Sequence, residues 1–473
     1  MADMETQVVV IGAGPGGYAA AFMAADLGMK VVLIDPGENP GGVCLYRGCI
    51  PSKALLHAAK VIFDAQEAEA MGLKFAAPKI DPAQLRDWKN SVVSKLTAGV
   101  GQLARQKKIQ HLRGEAFFEN SKQLRITLAD GQKQTLTFQN AIIATGSHVA
   151  PLPGIEVVSP HILDSTSALD LQSIPKTLLV IGGGYIGLEL GTAYAALGSK
   201  VQLAEMTDAL LTGVDKDLVR FVRRRANDKF EAMHLKTTVQ SMDPKENGID
   251  VTMQGSEGDP ITQFFDKVLV AVGRRPNSRG IGLENTRIEA DQRGFIKIDG
   301  QRRTAEAHIF AIGDVAGEPM LAHKATHEGR AVAEVIAGQK VTFEPAAIPA
   351  VVFTDPEIAW AGLTETEAEK KGIAFKTARF PWAASGRAAT LGRTDGLTKI
   401  LVDPQSERVL GIGIVGPGAG ELIAEGVLAI EMGANVTDIG LTIHPHPTLS
   451  ETIMEAADVF HGTSTHYHAP KRK

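Results

Sequence analysis

The sequence predicts an α/β fold, because two stretches of the chain repeat the same order of strand, helix and strand at the same spacing. Each stretch begins with a short apolar, β-branched run that leads into a glycine-rich turn and a helix pattern. Each ends with a second apolar run that is closed by an acidic residue. Strands that alternate with helices form parallel sheets, so we expect two Rossmann-like units.

The first unit lies close to the N-terminus. A strand at 7–11 leads into a glycine turn, and the helix pattern that follows continues to Gly28. A second strand at 30–34 is closed by Asp35. The glycines of this turn are Gly12, Gly14 and Gly17.

The second unit repeats every landmark 170 positions later. A strand at 177–181 precedes the turn, the helix pattern continues to Gly198, and a strand at 200–204 is closed by Glu205. The glycines of this turn are Gly182, Gly184 and Gly187. The equal spacing indicates that the two units share one architecture without an insertion.

The glycine turn suits a dinucleotide for physical reasons. The first glycine permits the tight turn, the second lets backbone approach a pyrophosphate, and the third lets the helix pack on the strand. The helix N-terminus adds N–H groups and a positive dipole, and the acidic residue accepts hydrogen bonds from a ribose. A single turn of this kind also occurs for packing alone. Here both copies carry the strand, the helix and the acid, which predicts two bound dinucleotides.

Three later strands also end in glycine, at 141–146, 268–273 and 309–313, and the last is followed by Asp314. Strand ends beside a dinucleotide crevice are where backbone must approach a ligand closely. Simple strand-terminating turns explain each of them equally well when it is taken alone.

The two cysteines of the chain, Cys44 and Cys49, fall within a span of six residues. A close pair in a cytosolic protein is more often catalytic or metal-binding than structural, and no further cysteine pair or nearby histidine completes a zinc site. We therefore expect no metal. A helix pattern begins at Pro51, so Cys49 lies just before a helix N-terminus that stabilises a thiolate. The competing interpretation is two buried cysteines that act as small hydrophobic residues.

The segment 444–451 reads His-Pro-His-Pro-Thr-Leu-Ser-Glu and has two interpretations. Thr448 and Glu451 fit a helix capping box. Alternatively, His446 is a general base for a thiol and Glu451 holds its other ring nitrogen. Spacing alone leaves both interpretations open.

Composition narrows the class of protein. A net charge of −5 with interspersed signs favours neither a nucleic acid nor an acidic membrane as partner. The apolar stretch 178–198 contains Glu189 and a glycine cluster, which argues against a membrane span. The early first strand leaves no room for a targeting sequence, so we expect a cytoplasmic protein.

These motifs resemble the flavin-dependent pyridine nucleotide-disulfide oxidoreductase family, and within it the branch that oxidises dihydrolipoamide. The similarity extends over nearly the whole chain, and the histidine motif at 444–451 points to lipoamide. It implies FAD and NAD as cofactors and a homodimer. It also implies four domains: an FAD domain at 1–149, an NAD domain at 150–276, a central domain at 277–345 that completes the FAD site, and an α+β interface domain at 346–473.

The resemblance also implies roles for individual residues. Cys44 is the interchange thiol, Cys49 lies beside the flavin, and His446 is the base, contributed across the dimer with Glu451 as its partner. The residues that match FAD positions are Gly12, Gly14, Gly17, Asp35, Lys53, Ala116, Thr145, Gly146, Asp314, Met320, Leu321 and Ala322. The residues that match NAD positions are Gly182, Gly184, Ile186, Gly187, Glu189, Glu205, Val239, Ala271, Gly273 and Arg274.

The implied reaction is oxidation of protein-bound dihydrolipoamide with reduction of NAD+. The implied partners are the lipoyl domains and core acyltransferase of 2-oxo acid dehydrogenase complexes, and the glycine cleavage system is a further possible partner.

Tyr46 and Arg47 depart from the smaller uncharged residues common between the cysteines, and Asp35 stands where Glu is frequent. Glutathione and mercuric reductases are the nearest alternatives, and a docking adaptor is the alternative of another class. We expect the tail at 461–473 to be a solvated, mobile end.

Overall fold

The computed structural model describes residues 3–468, which form five β-sheets and thirteen α-helices within that range. The strands, in chain order, are β1 (Asp3–Ile11), β2 (Val31–Asp35), β3 (Gln110–Asn120), β4 (Gln123–Leu128), β5 (Lys133–Ile143), β6 (Ser147–Val149), β7 (Ile162–Leu163), β8 (Thr177–Ile181), β9 (Lys200–Ala204), β10 (Ala232–His234), β11 (Thr238–Lys245), β12 (Gly248–Gln254), β13 (Ile261–Phe265), β14 (Lys267–Val270), β15 (Arg274–Pro276), β16 (Ile309–Ala311), β17 (Ala350–Val352), β18 (Ile358–Gly362), β19 (Lys376–Pro381), β20 (Leu397–Val402) and β21 (Val409–Val415). The helices are α1 (Pro15–Asp26), α2 (Gly42–Arg47), α3 (Cys49–Glu67), α4 (Pro82–Gln106), α5 (Ser165–Leu169), α6 (Tyr185–Ala196), α7 (Lys216–Lys229), α8 (Ala322–Ile336), α9 (Glu365–Lys371), α10 (Gly386–Thr390), α11 (Ala419–Glu431), α12 (Val436–Leu441) and α13 (Glu451–His461).

The first Rossmann-like unit is built around β1, which pairs in parallel with β2 on one side and β5 on the other. β16 pairs in parallel with β5 at the next position, although it comes from residues far along the chain. One face of this sheet is covered by α1 and α8, which bury Ala20, Ala24, Val332 and Ala333 together. The segment 277–345 therefore contributes a strand and a helix to the first unit. The domain boundaries at 149, 276 and 345 stay predictions.

The second Rossmann-like unit has the parallel strand order β10-β9-β8-β14-β7. β8 and β9 have the predicted bounds of 177–181 and 200–204. A two-stranded antiparallel ribbon of β6 and β15 links the ends of the two units. Among the described residues, no helix has the length and apolar character needed to cross a bilayer.

The C-terminal part of the chain has the antiparallel strand order β17-β18-β21-β20-β19. Its core includes Trp382, Ile412, Ile423 and Ile453, so helices α11 and α13 pack against this sheet. The combination of two parallel α/β units with an antiparallel α+β unit confirms the predicted fold class.

The predicted mobile tail is fastened to α13 over part of its length. Ser464 Oγ and His466 Nδ1 each lie 2.5 Å from an oxygen of the buried Glu455 carboxylate. Tyr467 packs edge-on against Phe380. Thr465 and His466 are exposed and Ser464 and Tyr467 are half-buried, so this part of the tail is largely solvated as expected, although these contacts hold it against α13 and β19. Residues 469–473 of the tail lie outside the described range.

Candidate active site

The first glycine turn has a shape that only glycine permits. Gly12 has a φ of +98°, and a Cβ atom there would lie 2.4 Å from the carbonyl oxygen of Ala144. A Cβ atom on Gly17 would lie 1.9 Å from the carbonyl oxygen of Gly12. Gly14 caps the N-terminus of α1, and no protein atom lies within 4 Å of its Cβ direction. The turn thus brings helix N–H groups to an open space, as a pyrophosphate requires.

Asp35 is placed at the end of β2, where it fixes this turn. Its Oδ2 accepts a hydrogen bond from Ala13 N at 2.8 Å, and its Oδ1 accepts one from Gly37 N at 2.8 Å. A carboxylate oxygen has a second acceptor site, so both oxygens can also receive a ribose hydroxyl. The carboxylate orders the turn and also offers a ribose site.

The second glycine turn repeats this geometry. Gly182 has a φ of +113°, and a Cβ atom there would lie 2.5 Å from the carbonyl oxygen of Ala271. Glu205 accepts hydrogen bonds from Gly183 N at 2.7 Å and Thr207 N at 2.8 Å. The corresponding acid therefore performs the same local task in both units.

A cavity of about 1030 Å³ extends from the first turn to the ribbon between the units. The cavity reaches the N-terminus of α1 and is lined there by the backbone of the glycine turn. Its volume is large enough for a dinucleotide. The residues of the predicted FAD set that line the cavity are Gly12, Gly14, Gly17, Asp35, Lys53, Ala116, Thr145, Gly146, Asp314, Met320 and Ala322. Leu321 does not line it, since it serves as the residue before α8.

The predicted NAD set divides into two groups. Ile186, Glu189 and Arg274 line the same cavity as the FAD set. The others surround or follow the second turn outside this cavity, and they are Gly182, Gly184, Gly187, Glu205, Val239, Ala271 and Gly273. The three shared residues therefore mark the boundary between the two predicted dinucleotide sites.

Cys44 and Cys49 both line the cavity as free thiols. Helix α3 begins at Cys49, two residues earlier than the proline at 51 predicts, because the first turn of a helix tolerates proline at any position. A hydrogen bond from the Cys44 thiol lowers the pKa of Cys49 to about 7, against the opposing effect of burial. The same hydrogen bond, together with burial, raises the pKa of Cys44 well above its usual range. The two thiols are therefore chemically unequal: Cys49 ionises first and Cys44 keeps its proton.

Lys53 and Glu189 form an ion pair beside the thiols, with 2.7 Å between Lys53 Nζ and Glu189 Oε2. The pair affects Cys49 in opposite directions, because Lys53 lowers its pKa and Glu189 raises it. Ser52 Oγ and Phe353 N also donate to the Glu189 carboxylate, at 3.1 and 3.0 Å. The carboxylate that the family resemblance assigns to NAD is thus bonded to residues of α3 and to the segment that follows β17.

The two unusual residues between the cysteines have different environments. The Tyr46 hydroxyl donates to the carbonyl oxygen of Asn39 at 3.0 Å, so the ring holds the preceding loop. Arg47 is exposed at the edge of the cavity, and it is not among the groups that shift the pKa of either thiol.

His446 and Glu451 form a hydrogen-bonded pair, with 2.8 Å between Nδ1 and Oε1. The His446 side chain is 70% exposed and does not line the cavity of its own chain. His444 differs, because Thr442 O and Glu425 Oε1 each lie 2.8 Å from one of its ring nitrogens and its side chain is only 5% exposed. Of these two histidines, His446 is the one that presents a free ring nitrogen to the surface.

Among the residues that sequence reasoning missed are Tyr18, Tyr185 and Ser147, of which Tyr185 and Ser147 line the cavity. Tyr18 lies near the thiols, and burial followed by the charges of the two cysteines raises its pKa. Burial raises the pKa of Tyr185 to about 12. Ser147 hydrogen-bonds Asp314 Oδ2 at 2.5 Å. Positions directly after the turn glycines could have indicated the tyrosines, whereas no local pattern indicates the serine.

One group of carboxylates could hold a cation. Asp215, Asp217 and Glu365 lie close together, and Lys399 Nζ lies 2.6, 2.7 and 2.9 Å from them respectively. The cluster therefore surrounds an ammonium group of the protein itself.

Comparison with known proteins agrees with this architecture. The dihydrolipoyl dehydrogenases of Vibrio cholerae, Haemophilus influenzae and Geobacillus stearothermophilus are 48%, 49% and 47% identical to the chain. Each alignment covers 98% of this chain and 97%, 96% and 98% of the respective relative.

Solved structures show the same likeness. LpdA from Mycobacterium tuberculosis superposes with a TM-score of 0.89 at 26% identity, over 96% of this chain and 99% of that one. RclA from Escherichia coli, a HOCl-induced flavoprotein disulfide reductase, superposes with a TM-score of 0.85 at 27% identity, over 96% of this chain and 99% of that one.

Two family models match the chain in sequence. Residues 6–329 match pyridine nucleotide-disulphide oxidoreductase, and residues 348–457 match the dimerisation domain of the same family. The first match contains both glycine turns and both thiols, and the second contains the His446–Glu451 pair. The chain therefore belongs to the pyridine nucleotide-disulphide oxidoreductase family.

Proposed function

We propose that the chain is a dihydrolipoyl dehydrogenase, which oxidises protein-bound dihydrolipoamide to lipoamide through Cys44 and Cys49 while NAD+ is reduced to NADH. The observation that carries the proposal is that both thiols line the dinucleotide cavity, with Cys49 at the N-terminus of α3 and hydrogen-bonded to Cys44. A thiol–disulfide exchange enzyme needs one thiol that meets the substrate and one thiolate that keeps the electron pair. Curated relatives with about half of their residues identical to this chain support the substrate.

The two cofactors are FAD and NAD. FAD supplies an acceptor for two electrons from a thiolate and a donor of hydride to NAD+. The first glycine turn, Asp35, Lys53 and Asp314 would hold FAD, and the second turn with Glu205 and Arg274 would hold NAD. The two glycine turns support this assignment. In each turn the first glycine packs tightly against backbone, whereas the second glycine, Gly14 or Gly184, faces open space at the N-terminus of the helix that follows.

The thiol steps follow from the roles of the two sulfur atoms. A thiolate of dihydrolipoamide attacks Cys44 Sγ, which forms a mixed disulfide and breaks the Cys44–Cys49 bond, so the electron pair remains on Cys49. The second substrate thiolate attacks the substrate sulfur of the mixed disulfide, lipoamide closes, and Cys44 leaves and takes a proton. The substrate has then lost two electrons and two protons. One proton is on Cys44 and the other is on the base.

His446 is the base in this scheme. It accepts the first thiol proton at the free ring nitrogen, while Glu451 holds Nδ1 and stabilises the imidazolium. Because the pair lies in the dimerisation domain and away from the cavity of its own chain, we assign it to the site of the second protomer. Each active site then combines the thiols of one chain with the base of the other.

The lipoyl domains and core acyltransferase of 2-oxo acid dehydrogenase complexes are the partners that this activity implies. The glycine cleavage system would present the same dihydrolipoyl group. The cytoplasmic location expected from the sequence is compatible with service to either system, and it stays a prediction.

The test is reduction of NAD+ with free dihydrolipoamide, assayed beside NADP+ with the same substrate. Cys44→Ser and Cys49→Ser should each abolish this activity while FAD stays bound, because exchange needs both sulfur atoms. Electron transfer from NADH to an artificial acceptor should survive in both variants, which controls for misfolding. Substantial lipoamide turnover by either variant would contradict the proposal.

A further inference from the structure

A chain of hydrogen bonds connects the two predicted dinucleotide sites through Ser147. Arg274 Nε donates to Ser147 Oγ at 2.7 Å, and Ser147 Oγ donates to Asp314 Oδ2 at 2.5 Å. Arg274 also donates from Nη2 to the carbonyl oxygen of Ser147 at 2.7 Å. All three residues line the large cavity, so the chain of bonds spans the boundary between the sites.

The directions of these bonds are fixed by chemistry. A guanidinium has donors and no acceptor, so Ser147 Oγ must accept from Arg274. Its single proton is then free for the Asp314 carboxylate, which accepts. Ser147 is 3% exposed, so water cannot readily replace the hydroxyl. The Ser147 hydroxyl therefore links the Arg274 guanidinium to the Asp314 carboxylate, and the bond on one side polarises the bond on the other.

The ribbon of β6 and β15 makes this contact rigid. In its antiparallel register Ser147 faces Pro276 and Arg274 faces Val149. Asn277 reinforces the ribbon, since its Nδ2 donates to the carbonyl oxygen of Thr145 at 2.9 Å and its own carbonyl oxygen accepts from Thr145 Oγ1 at 2.7 Å. A shift of Arg274 would therefore alter the hydrogen bond that the Ser147 hydroxyl donates to Asp314.

We propose that Ser147 is a positioning residue that couples the occupancy of the NAD site to retention of FAD. The inference rests on the proposed function for the assignment of Arg274 to NAD and Asp314 to FAD. When NAD+ fixes Arg274, Ser147 and Asp314 are fixed with it, so Asp314 binds FAD more tightly. Linkage makes the effect reciprocal: bound FAD strengthens NAD+ binding by the same factor. Without the hydroxyl, Arg274 Nε and Asp314 Oδ2 each lose a buried partner and no longer sense one another.

The experiment measures release of FAD from the holoenzyme in mild guanidinium, followed by the rise in flavin fluorescence. The release rate without NAD+ divided by the rate with saturating NAD+ defines the coupling ratio. We expect a ratio of about five or more in the wild type and about one in Ser147→Ala. A merely structural role would raise both rates together and leave the ratio unchanged, so the ratio separates coupling from loss of stability.

Three further variants sharpen the result. Ser147→Thr keeps the hydroxyl and should keep the wild-type ratio. Ser199→Ala removes another buried hydroxyl, which donates to Pro175 O at 2.6 Å away from the cavity, and should also keep it. Arg274→Met breaks the other end of the chain of bonds and should bring the ratio to about one, which tests the proposal even if Ser147→Ala loses FAD on purification.

A wild-type ratio of one, or equal ratios in the wild type, Ser147→Ala and Arg274→Met, would overturn the inference. Lipoamide turnover by the same preparations is measured separately. Its absence would contradict the proposed function, whereas the coupling ratio would still be measurable.

Discussion

Glu451 binds His446 and the backbone of Thr448 with different oxygens of one carboxylate. Oε1 lies 2.8 Å from His446 Nδ1, and Oε2 accepts from Thr448 N at 2.7 Å. The predicted capping box is therefore formed only in part: Thr448 N donates to Glu451, but α13 begins at Glu451 with Ser450 as its N-cap residue, and the Thr448 hydroxyl donates to the carbonyl oxygen of Pro445 instead. Burial opposes ionisation of Glu451, but the bonds from Thr448 and His446 outweigh it and lower its pKa.

This pair predicts graded effects of substitution. His446→Gln should lower kcat for dihydrolipoamide by about 10²- to 10⁴-fold, the usual loss when a general base is removed. Glu451→Gln offers one acceptor where two are needed, so its loss should be smaller. The matched control is His444→Gln, which should reduce thermal stability and leave kcat within about tenfold. Equal losses in kcat for the two histidine variants would contradict the assignment.

The pKa of Cys49 predicts the pH dependence of alkylation. In the reduced protein freed of FAD, in which Cys49 is exposed, iodoacetamide should react at Cys49 with a midpoint of about pH 7, because the Cys44 thiol donates a hydrogen bond to the thiolate. Cys44→Ala removes the donor, so the midpoint should rise towards the ordinary value of about 8.5. Cys44→Ser keeps a donor and should keep the low midpoint.

Arg47→Gln is the control for this titration. Because Arg47 is not among the groups that shift either thiol pKa, the midpoint should not change. Mass spectrometry of the alkylated peptide identifies the sulfur atom that reacts. A midpoint that rises in Arg47→Gln would show that its guanidinium reaches the thiols.

Sharing of the site across the dimer predicts that two inactive chains can complement each other. Cys44→Ser and His446→Ala chains are mixed in equal amounts under conditions that let subunits exchange. About half of the dimers are then mixed, and each has one intact site of two, so about a quarter of the wild-type activity should return. If mass labels confirm exchange and no activity returns, His446 serves its own chain.

Glu205 predicts the choice of nucleotide. Its carboxylate accepts from Gly183 N and Thr207 N, which fixes a negative charge beside the second turn. That charge repels a 2'-phosphate, so kcat/KM should strongly favour NAD+ over NADP+. Glu205→Gln should narrow the gap mainly by lowering KM for NADP+. Equal efficiency of the wild type with both nucleotides would contradict this role.

The sequence predicts best what depends on local spacing. Both glycine turns, Asp35, Glu205 and the helix at Cys49 depend on backbone geometry within a few residues, so motif and composition suffice. The link of Ser147 to Asp314 crosses 167 positions of sequence, and the link to Arg274 crosses 127. Such contacts depend on how β16 and the β6–β15 ribbon join the units, and no periodicity encodes that.

Glu189 illustrates the same limit from another direction. Its position near the second glycine turn favours a role toward NAD. In the fold, its carboxylate turns to Lys53 and Ser52 from the first unit and to Phe353 from the C-terminal unit. A buried carboxylate takes the nearest strong donors, and two distant parts of the chain supply them.

The ammonium of Lys399 has a consequence for how the molecule unfolds. Asp215 and Asp217 belong to the second nucleotide-binding unit, whereas Lys399 and Glu365 belong to the C-terminal unit, and Lys399 is fully buried among them. Separating the two units would remove Asp215 and Asp217 from the Lys399 ammonium and leave Glu365 as its remaining partner among the three, which is unfavourable. We expect calorimetry to give one cooperative transition for both units.

Acid should weaken that cooperativity. Burial raises the pKa of Asp217, but Lys399 and Arg379 more than offset it, so the pKa is lowered overall. The resulting stabilisation is present above the unfolded value of about 3.9 and is lost as the pH falls through the folded value. The second nucleotide-binding unit and the C-terminal unit, which the sequence presents as separate, should therefore unfold in one calorimetric transition at neutral pH. In strong acid we expect two transitions.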